Sequence, residues 1–420
     1  MDHARSTDPA VQAQLDRFAK RSPGRDVLGL ERIEALLDRL GNPHRVLPPV
    51  FHIAGTNGKG STCAFLRSIL EAAGHTVHVY TSPHLVRFNE RIRIAGRLID
   101  DDALAPLLTK VIDAAEAEDI GASFFEITTA AALLAFARTP ADACVIEVGL
   151  GGRLDATNVV HPLVCGIAQI GLDHQAFLGD TLEAIATEKA GIAKPSVPLV
   201  VLDQGRDSVD RTLAKVAEAR GAPIFPAFSR WQFAVSEGQL QYRGFGGDVM
   251  TPLPALAGAH QLRNAALAIA MLKHQKALRI PPAAYKRGVA EAAWPARLQR
   301  LGPGPLAGQR EVWIDGAHNP EAADALAAEL ARRPPCHLVL GILANKDAAR
   351  IIAPLAPLAA SLTFVPVPGH DHHSPEKLAR DWGGRAATDL SSAVTWTPTL
   401  IAGSLYLCGE ALRLNEEAPD

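Results

Sequence analysis

The chain has 420 residues, 48% of them hydrophobic and 21% charged, an ordinary globular balance spread over two or three domains. A formal net charge of −3 leaves no overall basic field to draw nucleic acid or an anionic membrane. The five cysteines are scattered without a Cys-x-x-Cys pair, which argues against a disulfide framework and a thiolate zinc site.

The start, Met1 to Arg5, has no apolar leader segment, and no run reaches transmembrane length. A cytoplasmic protein is expected, without membrane or nucleic-acid partners. Residues 1–45 read as polar and helical, with Val27-Leu28-Gly29-Leu30 opening an amphipathic helix that runs to about Leu40. On pattern alone this segment is packing material. Val50 to Ala54 is a short buried strand, and Cys63 to Ala73 has helical spacing. Between them lies Gly55-Thr56-Asn57-Gly58-Lys59-Gly60-Ser61-Thr62.

Strand, glycine loop and helix are the setting of a phosphate-binding loop. Three glycines let backbone N–H groups close around phosphate oxygens, and the helix N-terminus adds positive partial charge. Lys59 would neutralise the β- and γ-phosphates, with a hydroxyl from Ser61 or Thr62 close by. The spacing departs from the common G-x-x-x-x-G-K-[ST]: its first glycine would fall on Ile53, and Gly60 takes the hydroxyl position. A bare glycine turn is the alternative, and a lysine inside the loop favours nucleotide over it.

Further along, Thr76 to Tyr80 is a second strand, exiting into Thr81-Ser82-Pro83-His84. Ser82 is either a turn residue or a hydroxyl ligand for a phosphate-bridging metal. A helix is expected near Asp101–Ala117. Ser123-Phe124-Phe125-Glu126 then opens a very apolar helix, its aromatics either core or the wall of a flat slot. Ala143 to Gly149 reads as a central parallel strand with one carboxylate, Glu147. A lone buried carboxylate costs several kcal/mol, so Glu147 should be paired or bind a cation. Val164 to Ile170 is another strand, ending in Asp173-His174, where His174 is either a surface residue or a ligand. A helix over Thr181–Ala193 carries Lys189 in an odd place for a solvated lysine. Leu199–Leu202 is a strand and Ser208–Arg220 a helix. Trp231 to Tyr242 alternates around Glu237-Gly238 as a hairpin, and Gly258 to Lys276 is helical.

Gly302-Pro303-Gly304-Pro305 is the strongest linker signal. It divides the chain into residues 1–301, a P-loop α/β domain with a mostly parallel sheet, and 302–420, a smaller Rossmann-like α/β domain. In the latter, Val312 to Ile314, Leu338 to Gly341 and Leu362 to Val365 are strands. Asn319 caps a helix that has Pro320 in its first turn. Ile401 to Leu405 should begin the last helix. His370-Asp371-His372-His373 has ligand-type residues, but its Pro and Gly neighbours make it a solvated loop rather than a zinc site. Nucleotide triphosphate with Mg²⁺, seated between two domains, is as far as the residues lead. The hallmark H-R-D loop of protein kinases is absent.

The order of several segments is more specific than any one. Gly55 to Ser61, Ser82-Pro83-His84, Glu147 to Asn158, Asp173-His174, Glu188-Lys189-Ala190-Gly191-Ile192 and Asp315-Gly316-Ala317-His318-Asn319 together resemble the folylpolyglutamate synthase/dihydrofolate synthase branch of the Mur ligase superfamily. The resemblance spans roughly residues 25 to 410. Gly151 to Asn158 and Ser404-Leu405-Tyr406 point to the folate branch over the muramyl-peptide branch. A noncatalytic nucleotide switch is the other alternative, and it has no use for Glu147, His174 and Lys189 together.

What the resemblance implies is an ATP-dependent amide ligase. ATP would phosphorylate a carboxylate of 7,8-dihydropteroate or a reduced folate, and L-glutamate would attack the acyl phosphate. Thr56, Asn57, Gly58, Lys59, Gly60 and Ser61 match ATP phosphate contacts; Asn264, Arg297 and Asp315 match further nucleotide contacts, with His318 beside them as a catalytic residue. Ser82, Glu147 and His174 match Mg²⁺ ligands for one or two ions, and the family allows a monovalent cation too. Lys189 matches a lysine carboxylated by CO₂. Val27-Leu28-Gly29-Leu30, Ser123-Phe124-Phe125-Glu126 and Leu154-Asp155-Ala156 match pterin-binding segments. A monomer is expected.

Overall fold

The structure, a computed structural model, describes residues 6–19 and 28–419. Val27, expected in a pterin segment, lies outside the described residues. The chain divides into two compact units. The first comprises Met1–Pro83, Phe88–Ala255 and Gln261–Ala293; the second comprises His84–Arg87, Leu256–His260 and Trp294–Asp420. Gly302 to Pro305 is therefore folded into the second unit instead of linking two domains. Gly304 lies so close to Asn415 that an added Cβ would sit 2.4 Å from its carbonyl oxygen, and Leu306 and Ala307 are buried.

The first unit is built on eight strands: β1 (Val50–Ala54), β2 (Val77–Tyr80), β3 (Ile92–Ile94), β4 (Arg97–Leu98), β5 (Ala143–Glu147), β6 (Val164–Ile167), β7 (Leu199–Val201) and β8 (Ile224–Pro226). Their order is β4-β3-β2-β5-β1-β6-β7-β8, with the β2, β5, β1, β6, β7 and β8 pairs parallel and the β2–β3 and β3–β4 pairs antiparallel at one edge. β1, β2, β5 and β6 are buried at every residue, as near-continuous apolar strands of a two-sided sheet must be.

Helices cover the sheet. The Phe124–Arg138 helix is apolar all round because eleven of its residues, Glu126 to Phe136, are buried. The Lys59–Ala72 helix lies against Pro282–Glu291, where Gly288 leaves no room for a Cβ, only 2.5 Å from the Ile69 Cα. The expected hairpin is present as β9 (Trp231–Ser236) and β10 (Gln239–Gly244), joined by β11 (Val249–Pro252) into a small antiparallel sheet. Glu237 and Gly238, both at positive φ, make its two-residue turn.

The second unit holds β12 (Gln299–Arg300), β13 (Val312–Ile314), β14 (Cys336–Leu340), β15 (Ala359–Phe364), β16 (Arg385–Ala386) and β17 (Thr399–Ala402), in the order β12-β13-β17-β14-β15-β16. All pairs but β12–β13 are parallel. Ile401 and Ala402 thus close a central strand rather than begin the last helix. Gly403 turns at φ 100°, Ser404 caps, and the helix Leu405–Leu414 follows. Gly403-Ser404 is the turn and cap signal that separates this strand from the helix.

Candidate active site

Strand order gathers the expected phosphate and metal residues. β2, β5, β1 and β6 are consecutive and parallel, so their C-terminal ends share one edge of the sheet. Ligands of open α/β sheets bind at that edge. Ser82 follows β2, Glu147 is the last residue of β5, Gly55 to Ser61 follow β1, and His174 lies beyond β6. Glu147 pairs in register with Ile53, two residues before the loop.

The glycine loop turns as the residue types require. Gly55 has φ 152° and Gly58 φ 88°, where a β-carbon is strained. A Cβ on Gly58 would also lie 2.4 Å from Asn264 Oδ1, so Asn264 sits directly against the loop. The N–H groups of Thr56 and Asn57 donate to the Gln169 carbonyl at 2.8 and 3.1 Å. The Thr56 hydroxyl donates to Gly171 O at 3.0 Å. The loop is thereby fastened to the segment that leads to Asp173 and His174. At the start of the Lys59–Ala72 helix the first N–H groups have no acceptor within the helix. Thr62 donates its hydroxyl back to Gly58 O at 2.8 Å, which leaves Ser61 as the hydroxyl of the pair not spent in that way.

Lys59 Nζ lies 3.9 Å from Glu147 Oε1 and 3.4 Å from Thr56 O. Cation and carboxylate are both largely buried, so they see each other through a weakly screening medium. His174 adopts φ 51° and places Nε2 3.9 Å from Asp173 Oδ2. A carboxylate, a hydroxyl and an imidazole at one sheet edge suit a hard divalent cation completed by phosphate oxygens. Among the described residues no three His, Cys, Asp or Glu side chains converge into a protein-only metal cage; a cation that keeps phosphate and water ligands needs none.

Lys189 is buried on the Leu182–Ala190 helix, and its Nζ donates to Gly55 O at 2.9 Å. Burial and the neighbouring Lys59 pull its pKa down to about 7, against the pull of Asp173 and Asp155. A lysine of this kind holds a large neutral-amine fraction near neutrality, the form that can act as a nucleophile. The Gly149–Asn158 loop fixes the end of this helix. Arg153 N donates to Glu188 O at 2.8 Å, and a Cβ on Gly152 would lie 2.7 Å from the carbonyls of Glu188 and Lys189.

The three expected pterin segments differ in what they do. Ser123 and Glu126 form a capping box, and Glu126 also meets Arg32 at 3.1 Å. The S-x-x-E spacing was a signal for this that the sequence reading passed over. Phe125 packs on Tyr80 and directly over Gly149, and Phe124 packs on Phe18 and Phe88. Asp155 turns its carboxylate into its own loop, accepting from the N–H groups of Leu150 and Thr157. Burial raises its pKa against those bonds. Leu28, Gly29 and Leu30 precede the Glu31–Arg39 helix and are half-buried.

In the second unit, Arg297, Asp315 and His318 meet at the end of β13. Ala296 and Leu298 flank Arg297 at φ 54° and 47°, uncommon for residues with a β-carbon. Asp315 accepts from the N–H groups of Leu298 and Ala317, both at 2.9 Å. Its burial raises the carboxyl pKa, and Arg297 opposes that. His318 Nδ1 is 2.8 Å from Gly316 O. The His370–His373 loop spends its rings elsewhere: His370 stacks on Tyr406 at 3.9 Å, and His373 Nε2 bonds Lys346 O at 2.9 Å.

Sequence reasoning missed Gln169, whose carbonyl holds the loop, and Gln204, whose amide bonds Ala168 O, Leu202 O and Ile170 N. Neither stands in a motif.

Comparison with known proteins places the chain in a family. The family described as "Mur ligase middle domain" matches residues 53–272, and "Mur ligase, glutamate ligase domain" matches residues 296–407. Folylpolyglutamate synthase of Lacticaseibacillus casei is 36% identical over 402 residues, covering 90% of this chain and 92% of that protein. Dihydrofolate synthase/folylpolyglutamate synthase of Escherichia coli is 37% identical over 376 residues, covering 88% and 84%. The structure of E. coli FolC in complex with DHPP and ADP superposes with a TM-score of 0.88 at 32% identity, covering 98% of this chain and 99% of that one. A bifunctional folylpolyglutamate synthase/dihydrofolate synthase with Mn, AMPPNP and L-glutamate bound gives a TM-score of 0.85 at 32% identity, with 97% and 99% covered.

Proposed function

We infer the reaction from kinship: this chain belongs to the folylpolyglutamate synthase/dihydrofolate synthase family of Mur ligases, and it is an ATP-dependent ligase that adds L-glutamate to folates. The cosubstrate is ATP, used with a divalent metal.

Beyond this, we propose that both 7,8-dihydropteroate and tetrahydrofolates serve as acceptors, and that Mg²⁺ is the working ion. The acceptor carboxylate attacks the γ-phosphorus of ATP, giving an acyl phosphate and ADP. The glutamate amine then adds to the acyl carbon, and the tetrahedral intermediate expels phosphate as the amide forms. Lys59 faces the transferring phosphoryl group and offsets its charge, while first-turn N–H groups of the Lys59–Ala72 helix hold phosphate oxygens. Thr56, Asn57, Gly58, Gly60 and Ser61 shape that cradle; Asn264, Arg297 and Asp315 contact the nucleotide, and His318 acts beside them. Ser82, Glu147 and His174 would hold the divalent ion, which supplies charge neutralisation at the phosphates. Lys189 takes up CO₂ as a carbamate, turning a buried cation into an anion suited to a second ion. A monovalent cation is a further expected component. Leu28 to Leu30, Phe124, Phe125 and Leu154 to Ala156 form the pterin site, with Ser123 and Glu126 shaping its helix. The enzyme works as a cytoplasmic monomer.

The observation in the structure that best supports the phosphate and metal roles is Lys59 Nζ, at the start of the helix after the glycine loop, 3.9 Å from Glu147 at the end of β5. The test is a phosphate-release panel with purified protein, ATP, Mg²⁺ and L-glutamate. Release is expected with dihydropteroate and with tetrahydrofolate. Release only with UDP-sugar peptides would move the chain to cell-wall chemistry, and absence of release with every acceptor carboxylate would favour a noncatalytic nucleotide switch.

A further inference from the structure

A path of hydrogen bonds, backbone and close contacts runs from β1 through the Gly149–Asn158 loop to Lys189 and returns to Gly55. It starts at His52, wholly buried in the middle of β1, whose Nε2 lies 2.9 Å from Thr157 Oγ1. Thr157, also wholly buried, donates its hydroxyl to Asp155 Oδ1. With Asp155 ionised, the one hydroxyl proton goes to the carboxylate and the imidazole donates at Nε2. His52 Nδ1 is then the unprotonated, accepting nitrogen, and it is buried without a hydrogen-bond partner. Asp155 gathers the N–H groups of Leu150 and Thr157, folding the loop around one carboxylate.

The loop then grips the next helix. Arg153 N bonds Glu188 O at 2.8 Å, Asn158 Nδ2 reaches Gly191 O at 3.3 Å, and Gly152 lies flat against Lys189. Lys189 Nζ returns to Gly55 O, three residues beyond His52 on the same strand-to-loop path. An apolar side chain at position 52 would fill the core at less desolvation cost than an imidazole. A threonine hydroxyl between two polar groups also serves direction rather than volume.

We propose that His52, Thr157 and Asp155 form a buried positioning chain that holds Lys189 at the phosphate-binding loop in the geometry the ligase reaction needs. The proposal rests on the role given to Lys189 above. In this chain His52 and Thr157 act by fixing the loop that fixes the lysine, and Asp155, whose segment is also assigned to the pterin site, is the anchor they hold.

The test compares Thr157→Val, which keeps shape and loses the hydroxyl, with Thr157→Ser, which keeps the hydroxyl. His52→Met and His52→Gln form the second pair, since glutamine can still donate near the Nε2 position. Readouts are kcat and KM for acceptor-dependent phosphate release, ATP affinity by equilibrium binding, and thermal unfolding. Thr157→Val and His52→Met should lower kcat roughly tenfold or more with ATP affinity within about twofold, and Thr157→Ser and His52→Gln should recover to within about threefold of wild type. Thr157→Val added to Lys189→Ala should cost nothing further, because both act through one group. The chain is overturned if Thr157→Val keeps kcat within about twofold, or if Thr157→Ser is as impaired as Thr157→Val. Lys189→Ala at wild-type rate removes the role of Lys189 and this inference with it. An inactive Lys189→Ala beside an intact Thr157→Val removes the chain alone.

Discussion

At the scale of single residues, two lysines carry the proposed chemistry in different ways. Lys59 works as a charge. Removing it should lower turnover about 100-fold or more, since preorganised charge at a transferring phosphoryl group supplies several kcal/mol. The Lys59→Ala protein should still fold cooperatively but unfold at a lower temperature, because the buried Glu147 carboxylate loses the cation 3.9 Å away. Full activity in that variant would end the phosphate-loop assignment. Lys189 works through its environment, and that has a pH signature. Its pKa falls from 10.5 to about 7 on folding. Below pH 7 both states are protonated, and the native state bears the full cost of a buried ammonium. As pH rises from 7 to 10.5 the unfolded chain holds the extra proton, so stability climbs with pH. Lys189→Met should remove that climb, a difference of about one proton in the slope, measured by urea unfolding in CO₂-depleted buffer. Parallel slopes for the two proteins would show that Lys189 is not desolvated. The sequence marked Lys189 as oddly placed but not why. The reason lies in Gly55 O, 134 positions away, which accepts its hydrogen bond.

At the scale of elements, the Gly149–Asn158 loop and the Leu182–Ala190 helix behave as one piece. Gly152 faces two carbonyls at 2.7 Å from a would-be Cβ, and neither belongs to a flexible side chain. Gly152→Ala must therefore push the helix away, costing about 1–3 kcal/mol in chemical denaturation. It should lower turnover as well, because Lys189 moves with the helix. Wild-type turnover in a destabilised Gly152→Ala would show that the packing is structural alone. Ser123→Ala tests a different element. Losing the capping box should cost about 1 kcal/mol of stability. A change well under that value would mean the cap is redundant with the Glu126–Arg32 contact. Elements were legible where periodicity, glycine or a capping residue marked their ends. The Asn319 cap, the Glu237-Gly238 hairpin and the loop after β1 all stand where expected. The expectation fails at Ile401 to Leu405, where Ile401 and Ala402 close a buried strand and the Gly403-Ser404 turn and cap, not Ile401, open the helix.

At the scale of the whole molecule, nucleotide and metal should be linked to folding. An unhydrolysed ATP analogue with Mg²⁺, at about one hundred times its Kd, should stabilise the protein by about 2.7 kcal/mol if it binds only the native state. A chelator should abolish most of that gain, and Lys59→Ala should lack it. Equal stabilisation with and without the divalent ion would argue against a metal-bridged triphosphate. The sequence alone determined the glycine loop, the lone carboxylate of β5 and the ordered motifs that place the chain in its family. Each is a local statement, carried by residue types a few positions apart. Tertiary structure decided which strand ends stand side by side, and hence that Ser82, Glu147, the loop and His174 share one edge. It also decided that Gly302 to Pro305 is folded into the second unit, and that His52 answers to Thr157. Parallel strands are joined by long crossovers, so their order is set by long-range packing and register, which no window along the chain contains.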